Sequence, residues 1–269
     1  MQGASGPALL CRALEPFADH VITTRSWALG AAGRNSDADS AWAEVAAALA
    51  RPLVRVHQVH GAALVIRRAG DPPLAALPEA DIIVSHDPTV AIAIQAADCV
   101  PILIADRRTG AVAAAHAGWR GLAAGVPRIT VEALARQFGS RPGDLVAAAG
   151  PSIGACCYEV GPEVRHGFDE AGWPESATRG WFFTRPQPTP GNPSMAGLRA
   201  ERRPGHWYFD SGRAAGDQLE SAGVPRDQIL VAGLCTASHA GALCSYRRDG
   251  AGAGRIAGAI RGGSRLQSA

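Results

Sequence analysis

The 269-residue chain contains no lysine: all 26 basic residues are arginine, set against 24 acidic residues for a formal charge of +2. That absence excludes Schiff-base chemistry on lysine, a lysine general base, and a Walker A loop, which ends in lysine. Any side-chain cation that holds an anion must be arginine, whose planar fork suits phosphate and carboxylate. A balance this close to neutral gives no general basic surface for nucleic acid. Long apolar runs are missing too. The longest, 90–105, is broken by Gln95 and Asp98 and is too short and polar to span a bilayer. No basic segment followed by an apolar one opens the chain, so no signal peptide and no membrane partner are expected, and the expected location is cytoplasmic.

Cysteine is sparse. Cys11, Cys99, Cys156, Cys157, Cys235 and Cys244 could make three disulfides by count, but a chain this long does not need staples. Reduced cysteines in the cytosol are the better expectation, and such cysteines are more often metal-binding or catalytic. With 47% hydrophobic and 19% charged residues the chain can bury a sizeable core, and its length fits one domain over 1–269. Strand-like segments at 53–56, 63–66, 90–95, 100–105, 111–116 and 145–149, and a helix at 122–138, give an α+β or mixed α/β pattern. The stretch 173–206 is rich in Pro, Gly, Arg and Trp and reads as a long surface loop.

The segment 99–116 carries the sharpest local inference. A turn centred between Arg107 and Arg108 would pair Leu103 with Val112, Pro101 with Ala114 and Cys99 with His116. Directly opposed residues share a face, with Cβ atoms about 4.5–5.5 Å apart. A thiolate and an imidazole so placed can share one zinc ion. The plain alternative is a buried cysteine beside an unrelated histidine. His57 and His60, three apart on a strand, fall on opposite faces, and spacing does not choose between them.

Three further segments are dense in unusual residues. His116-Ala117-Gly118-Trp119-Arg120-Gly121 sits at a strand-to-helix junction, where Arg120 could meet an anion or simply lie on the surface beside a core Trp. Segment 150–160 holds Cys156 and Cys157. Adjacent cysteines point apart, so a joint metal role is not expected, and the segment reads as a backbone turn near the site or, more readily, as a tight structural corner. Ser245-Tyr246-Arg247-Arg248-Asp249-Gly250 is a turn whose arginines would make surface ion pairs or contact phosphate.

Together these segments resemble one family, that of YfiH, also called the laccase-domain, polyphenol oxidase or peptidoglycan editing factor family. The matching pieces are HQVHG at 57–61, Asp81 in ADIIVS, AADCVPILIAD at 96–106 and HAGWRGLAAGV at 116–126. GPSIGACCYEVG at 150–161, LCT at 234–236 and SYRRDGAGAGR at 245–255 complete the set. The resemblance runs from about Arg55 to Ile260. It implies an α+β fold in αββα layers, with a β-sandwich core flanked by helices. It also implies a catalytic zinc bound by His60, Cys99 and His116. The implied activity is phosphorolysis of purine nucleosides (adenosine, inosine, guanosine, methylthioadenosine), with adenosine deamination as a second activity.

Two departures stand out. After Thr23-Thr24-Arg25 the family usually continues Gly-Gly-Val-Ser, whereas this chain has Ser26-Trp27-Ala28-Leu29. Where the family tends to carry Asn-Arg, this chain has Ser40 to Trp42. The phosphate candidates are therefore Arg120, Arg247, Arg248 and Arg25. Asp98, next to Cys99, is expected to support the site from the other face. Two rivals follow from the same residues. One is copper-dependent phenol oxidation, which needs many imidazoles, whereas the chain has eight histidines and no His-x-His pair. The other is a cysteine hydrolase acting on peptidoglycan precursors, with Cys99 as nucleophile and His116 as base. A closed, non-catalytic zinc module would need a fourth ligand, for which Cys235 is the candidate.

Overall fold

The computed structural model describes residues 2–3, 6–30, 35–198 and 203–263. Two six-stranded sheets organise it. The first orders Gln2–Gly3, Gly6–Leu9, Ala18–Thr23, Ile256–Gly262, Ala91–Ala96 and Leu53–Val54. The second orders Ile229–Val231, Leu145–Ala149, Val100–Asp106, Val112–Ala117, Ile82–Ser85 and Leu64–Arg67. Each central strand is buried on both faces, which is why Val100–Asp106 reads as a near-continuous apolar run rather than an alternation.

Three buried clusters define the layers. Between the sheets, Ile92, Ile94, Ile256 and Ile260 of the first meet Ile83, Leu103, Val112 and Val146 of the second. The first sheet's outer face, with Ala91, Ala93, Ala257 and Ala259, packs on Trp42 and Val45 of helix Asn35–Ala48 and on Leu49 just after it. The second sheet's outer face, with Ile102, Ile104, Ala113 and Ala115, is covered by helices Trp119–Ala123, Val126–Phe138, Pro162–Glu170 and Ser211–Ser221. The result is the αββα arrangement, a mixed α/β fold as expected. Among the described residues no helix is long and apolar enough to cross a membrane.

Local sequence explains the boundaries that matter. Asp106 accepts hydrogen bonds from the backbone N–H groups of Arg108 (2.7 Å) and Thr109 (3.0 Å), and Gly110 takes φ 75°. The turn therefore holds four residues, 107–110, and the hairpin pairs Pro101 with His116 and Leu103 with Ala114. The tighter turn expected from sequence is two positions out of register. The expected helix 122–138 is two helices, because Gly125 at φ 81° and Pro127 break the first and restart the second. Within 173–206 the chain is not all loop. It contributes helix Glu175–Thr178 and strand Phe182–Phe183, which joins Glu159–Val160 and Trp207–Phe209 in a small third sheet. Its aromatics pack there, with the Phe182 and Phe209 rings stacked at 4.8 Å.

A buried histidine makes the fold's acid stability testable. His20 is 4% exposed; its Nδ1 donates to the Ala18 carbonyl (3.2 Å), and its Nε2 accepts from the Cys11 N–H (2.7 Å). Burial lowers its pKa, against the upward pull of the Ala18 carbonyl, Glu15 and Asp19. Below pH about 6.5 the unfolded chain takes up a proton that the native imidazole resists, so stability falls with pH by up to about 1.4 kcal/mol per unit. Urea midpoints at pH 7.5 and 5.5 should show a smaller acid loss for His20→Gln than for the parent. Equal losses would remove His20 as the cause.

Candidate active site

The site forms where the loop 57–61 meets the start of the central hairpin. Continuing the observed register by one residue sets Cys99 against Gly118, with His116 as the diagonal neighbour on the same face. The expected meeting of Cys99 and His116 thus survives the register error, because a shift of two keeps side-chain parity. His60 comes from the loop, and its ring meets that of His116 edge-on, with centroids 4.9 Å apart. The ligand atoms of His60, Cys99 and His116 lie within 4.8 Å of one another. His57 is not part of this group. It is exposed, and its backbone bridges to Glu79.

Asp81 holds the parts together. Its side chain is fully buried and accepts N–H bonds from Val59 (3.3 Å), His60 (3.1 Å) and Gly61 (2.7 Å). It also accepts from His116 Nδ1 at 2.8 Å. Burial pushes its carboxyl up, but the bonds from His116 and the loop outweigh this and hold it below the usual carboxylate range. With Nδ1 donating to Asp81, His116 offers Nε2 to a ligand, the carboxylate–histidine arrangement common at metal centres.

Burial pushes the Cys99 thiol up, yet the charge and hydrogen bonds of His116 and His60 bring it down to about 6. His116 is driven up to about 9: burial lowers it, and Cys99 and Asp81 more than compensate. The donor set, a thiolate and two imidazoles, suits a borderline-soft metal. The cradle fits as well. A Cβ built on Gly118 would lie 2.9 Å from Cys99 Sγ and 3.1 Å from His60 Cδ2, so only glycine leaves the donors room.

Asp98 sits at φ 89°, unusual for a non-glycine residue, and this bend aims Cys99 inward. Its carboxylate accepts from Thr236 Oγ1 and the Arg247 backbone N–H, each at 2.6 Å. Asp98 therefore ties both the LCT segment and the SYRRDG segment to the hairpin. Arg247 is exposed, donates from its guanidinium to the Glu159 carbonyl (2.7 Å) and lies over the Tyr158 ring at 5.0 Å. Arg120 is also exposed, 4.2 Å over the ring of Trp119, which packs against the core.

The other two arginines are differently employed. Arg248 directs all five N–H donors inward: to Asp249 twice, and to the carbonyls of Thr236, Ala237 and Leu243. The expected phosphate contact is replaced by a loop clamp. Arg25 reaches the Ala240 carbonyl and Asp249. Trp42, which takes the place of the expected arginine, is buried under the first sheet with Arg55 stacked at 4.6 Å.

Sequence reasoning missed Tyr158. Burial and the nearby Cys99 charge hold its hydroxyl protonated, against the opposing pull of Arg247. Its signal was an aromatic residue just after the paired cysteines, read as part of a corner.

The family model described as multi-copper polyphenol oxidoreductase laccase matches residues 32–262. A purine nucleoside phosphorylase of Deinococcus radiodurans is 34% identical over 261 residues, covering 92% of this chain and 90% of that one. A purine nucleoside phosphorylase of Bacteroides thetaiotaomicron is 35% identical over 176 residues, covering 65% of this chain but only 58% of its own length. Adenosine deaminase RL5, from an unknown prokaryotic organism, is 33% identical over 67% of this chain and 62% of that one. Among solved structures, the hypothetical protein YfiH of Bacillus licheniformis superposes with TM-score 0.77 at 25% identity, covering 97% of both chains.

Two substitutions test the geometry. Asp81→Ala leaves a buried His116 N–H without its acceptor and frees the His60 loop, and should weaken binding of a divalent metal ion at this group roughly 10- to 100-fold. Gly118→Ala should weaken it by a similar factor, because the added Cβ would crowd both Cys99 Sγ and His60 Cδ2. Competition titration against a chromophoric chelator reads both; unchanged affinity in either variant contradicts the assigned role.

Proposed function

Because the chain belongs to the family described as multi-copper polyphenol oxidoreductase laccase, the YfiH family, we propose that it is a zinc-dependent purine nucleoside phosphorylase with adenosine deaminase as a second activity. Its substrates on this reading are adenosine, inosine, guanosine and methylthioadenosine. The observation that carries it is the braced group of His60, Cys99 and His116 beside an exposed arginine and a protonated tyrosine. The names of the relatives point the same way. The six free cysteines fit a reducing, cytoplasmic setting.

His60, Cys99 and His116 would hold the zinc, which when bound supplies Lewis acidity to an approaching substrate or phosphate oxygen. Asp81 fixes the tautomer and direction of His116. Arg247 would orient phosphate for attack on ribose C1′, aided by Arg120 across the rim. Asp98 acts as a positioning residue: it holds the Arg247 backbone and the bend that delivers Cys99. Tyr158 keeps its proton and can donate a hydrogen bond to the nucleoside.

The Cys99–His116 pair would also serve a cysteine hydrolase, and its ionisation is the observation in favour of that reading. Chelation separates the two, since a thiolate nucleophile does not need the metal. Copper-dependent phenol oxidation has less support. Among the described residues, only one of the candidate metal groups contains histidine.

The test is incubation with adenosine, with and without phosphate. Phosphate-dependent adenine and ribose 1-phosphate are expected, together with some inosine; chelation abolishes both and zinc restores them. Arg247→Ala should lower kcat/KM for phosphate roughly 10- to 100-fold, the value of one charge-assisted bond. Arg248→Ala should instead lower the melting temperature. No product from zinc-loaded protein under either condition overturns the reading.

A further inference from the structure

We propose that Cys156, Cys157 and Cys235 form a second metal site, which holds a soft d10 cation, copper(I) or zinc(II), through sulfur alone. Their sulfur atoms lie within 4.8 Å of one another, and the residues are 2%, 0% and 2% exposed. Adjacent cysteines diverge on a strand, but here the chain turns. The N–H groups of Cys157 and Tyr158 both donate to the Gly154 carbonyl at 2.9 Å, and the two side chains converge. Cys235 arrives from the LCT segment, which runs parallel to Ser152 at an isolated bridge.

The surroundings suit bound thiolates. Gly154 N–H points at Cys235 Sγ (3.4 Å) and Met195 N–H at Cys157 Sγ (3.2 Å). Backbone donors of this kind orient and neutralise sulfur ligands at metal centres. The Ser238 hydroxyl, which donates to the Pro193 carbonyl (2.5 Å), stands 3.5 Å from both Cys156 and Cys157, and the thiol proton that Cys157 directs to the same carbonyl is the one a bound ion would displace. Metal–sulfur bonds of about 2.3 Å require sulfurs roughly 3.8–4.0 Å apart, a spacing compatible with a group whose sulfurs all lie within 4.8 Å of one another. A donor set of sulfur alone rejects magnesium and calcium and selects thiophilic ions. Among the described residues no fourth Cys, His, Asp or Glu joins the group. Zinc normally closes four ligands, whereas copper(I) is satisfied by three thiolates, so copper(I) is expected to bind the tighter of the two.

An entry route exists. A cleft of about 490 Å³ is lined by Cys156 and Cys235 along with Asn192. Asn192 also straps the surrounding loops: it accepts from Cys235 N–H (2.8 Å) and donates to the Gly233 carbonyl (2.6 Å). A bound ion would therefore staple segments 154–157 and 192–195 to the LCT segment. The site shares no residue with the His60–Cys99–His116 group, although Ile153 N–H on the Asp98 carbonyl (2.9 Å) links the two.

The competing account is that the three cysteines merely fill space as small apolar residues. The experiment uses the full-length, reduced chain carrying Cys99→Ser, so that the first site is disabled. Anaerobic titration with copper(I), and separately with zinc(II), should give one equivalent bound, and X-ray absorption on the copper(I) form should show sulfur neighbours alone at about 2.3 Å. Adding Cys235→Ser should weaken binding at least tenfold; Cys156→Ser, which keeps the hydroxyl network near Ser238, is the second variant in case the first does not fold. Neither ion binding to the Cys99→Ser chain, nitrogen neighbours around the bound copper, or parental affinity in a folded thiol variant would each overturn the site.

Discussion

One buried carboxylate fixes the geometry of this protein's candidate centre. Asp81 sits just before strand Ile82–Ser85, fully buried from the bulk water that would otherwise solvate its charge. Four hydrogen bonds replace that water: three from consecutive backbone N–H groups of the 59–61 loop and one from His116. An unpaired buried charge costs many kcal/mol, and each hydrogen bond to a charged group returns about 1.5–3 kcal/mol. The carboxylate is thus stable only when the loop and the hairpin are both in place. The constraint works in both directions, since His60 and His116 cannot drift apart while Asp81 is ionised.

A second aspartate does the same on the opposite side. Asp98 and His60 both have positive φ, 89° and 61°, a backbone state that costs a non-glycine residue about 1–3 kcal/mol. In each case a carboxylate compensates. Asp81 takes the His60 N–H, and Asp98's own side chain takes Thr236 and the Arg247 backbone. The strain is useful, because these two bends turn His60 and Cys99 out of extended paths and toward His116. Segments far apart in sequence (57–61, 98–99, 116–118, 234–236 and 245–249) are joined by these two side chains.

This division explains what could be read from sequence. The strands were legible because apolar runs and turn residues report burial and chain reversal directly, whereas the αββα layering followed from the family resemblance. The meeting of Cys99 with His116 was legible too, since face parity survives a register shift of two residues. The register itself was not legible: it depended on Asp106 side-chain bonds that lengthen the turn. The convergence of Cys156 with Cys157 was hidden for a related reason. Neighbouring side chains ordinarily diverge, and only the fold of the chain back onto the Gly154 carbonyl makes these two converge. Tyr158 was missed because its importance lies in neighbours more than fifty residues away along the chain.

The arginines show the limit most sharply. With no lysine in the chain, the guanidinium groups near the resemblance motifs give Arg120 and Arg247 as the leading candidates, with Arg248 and Arg25 behind them. The structure separates them by what their donors already do. Arg248 has carbonyls and Asp249 for every N–H and behaves as internal scaffolding. Arg247, one residue earlier, gives its backbone to Asp98 and one side-chain bond to Glu159, and its exposed plane rests on an aromatic ring. Residue type, charge and motif are the same for the two. Adjacent residues differ in direction by the helical turn at Tyr246–Asp249, and that rotation decides which one faces the protein and which faces solvent over Tyr158. A lysine-free chain makes this visible because a single chemical group performs both tasks, so the difference between clamp and candidate anion site must lie in geometry.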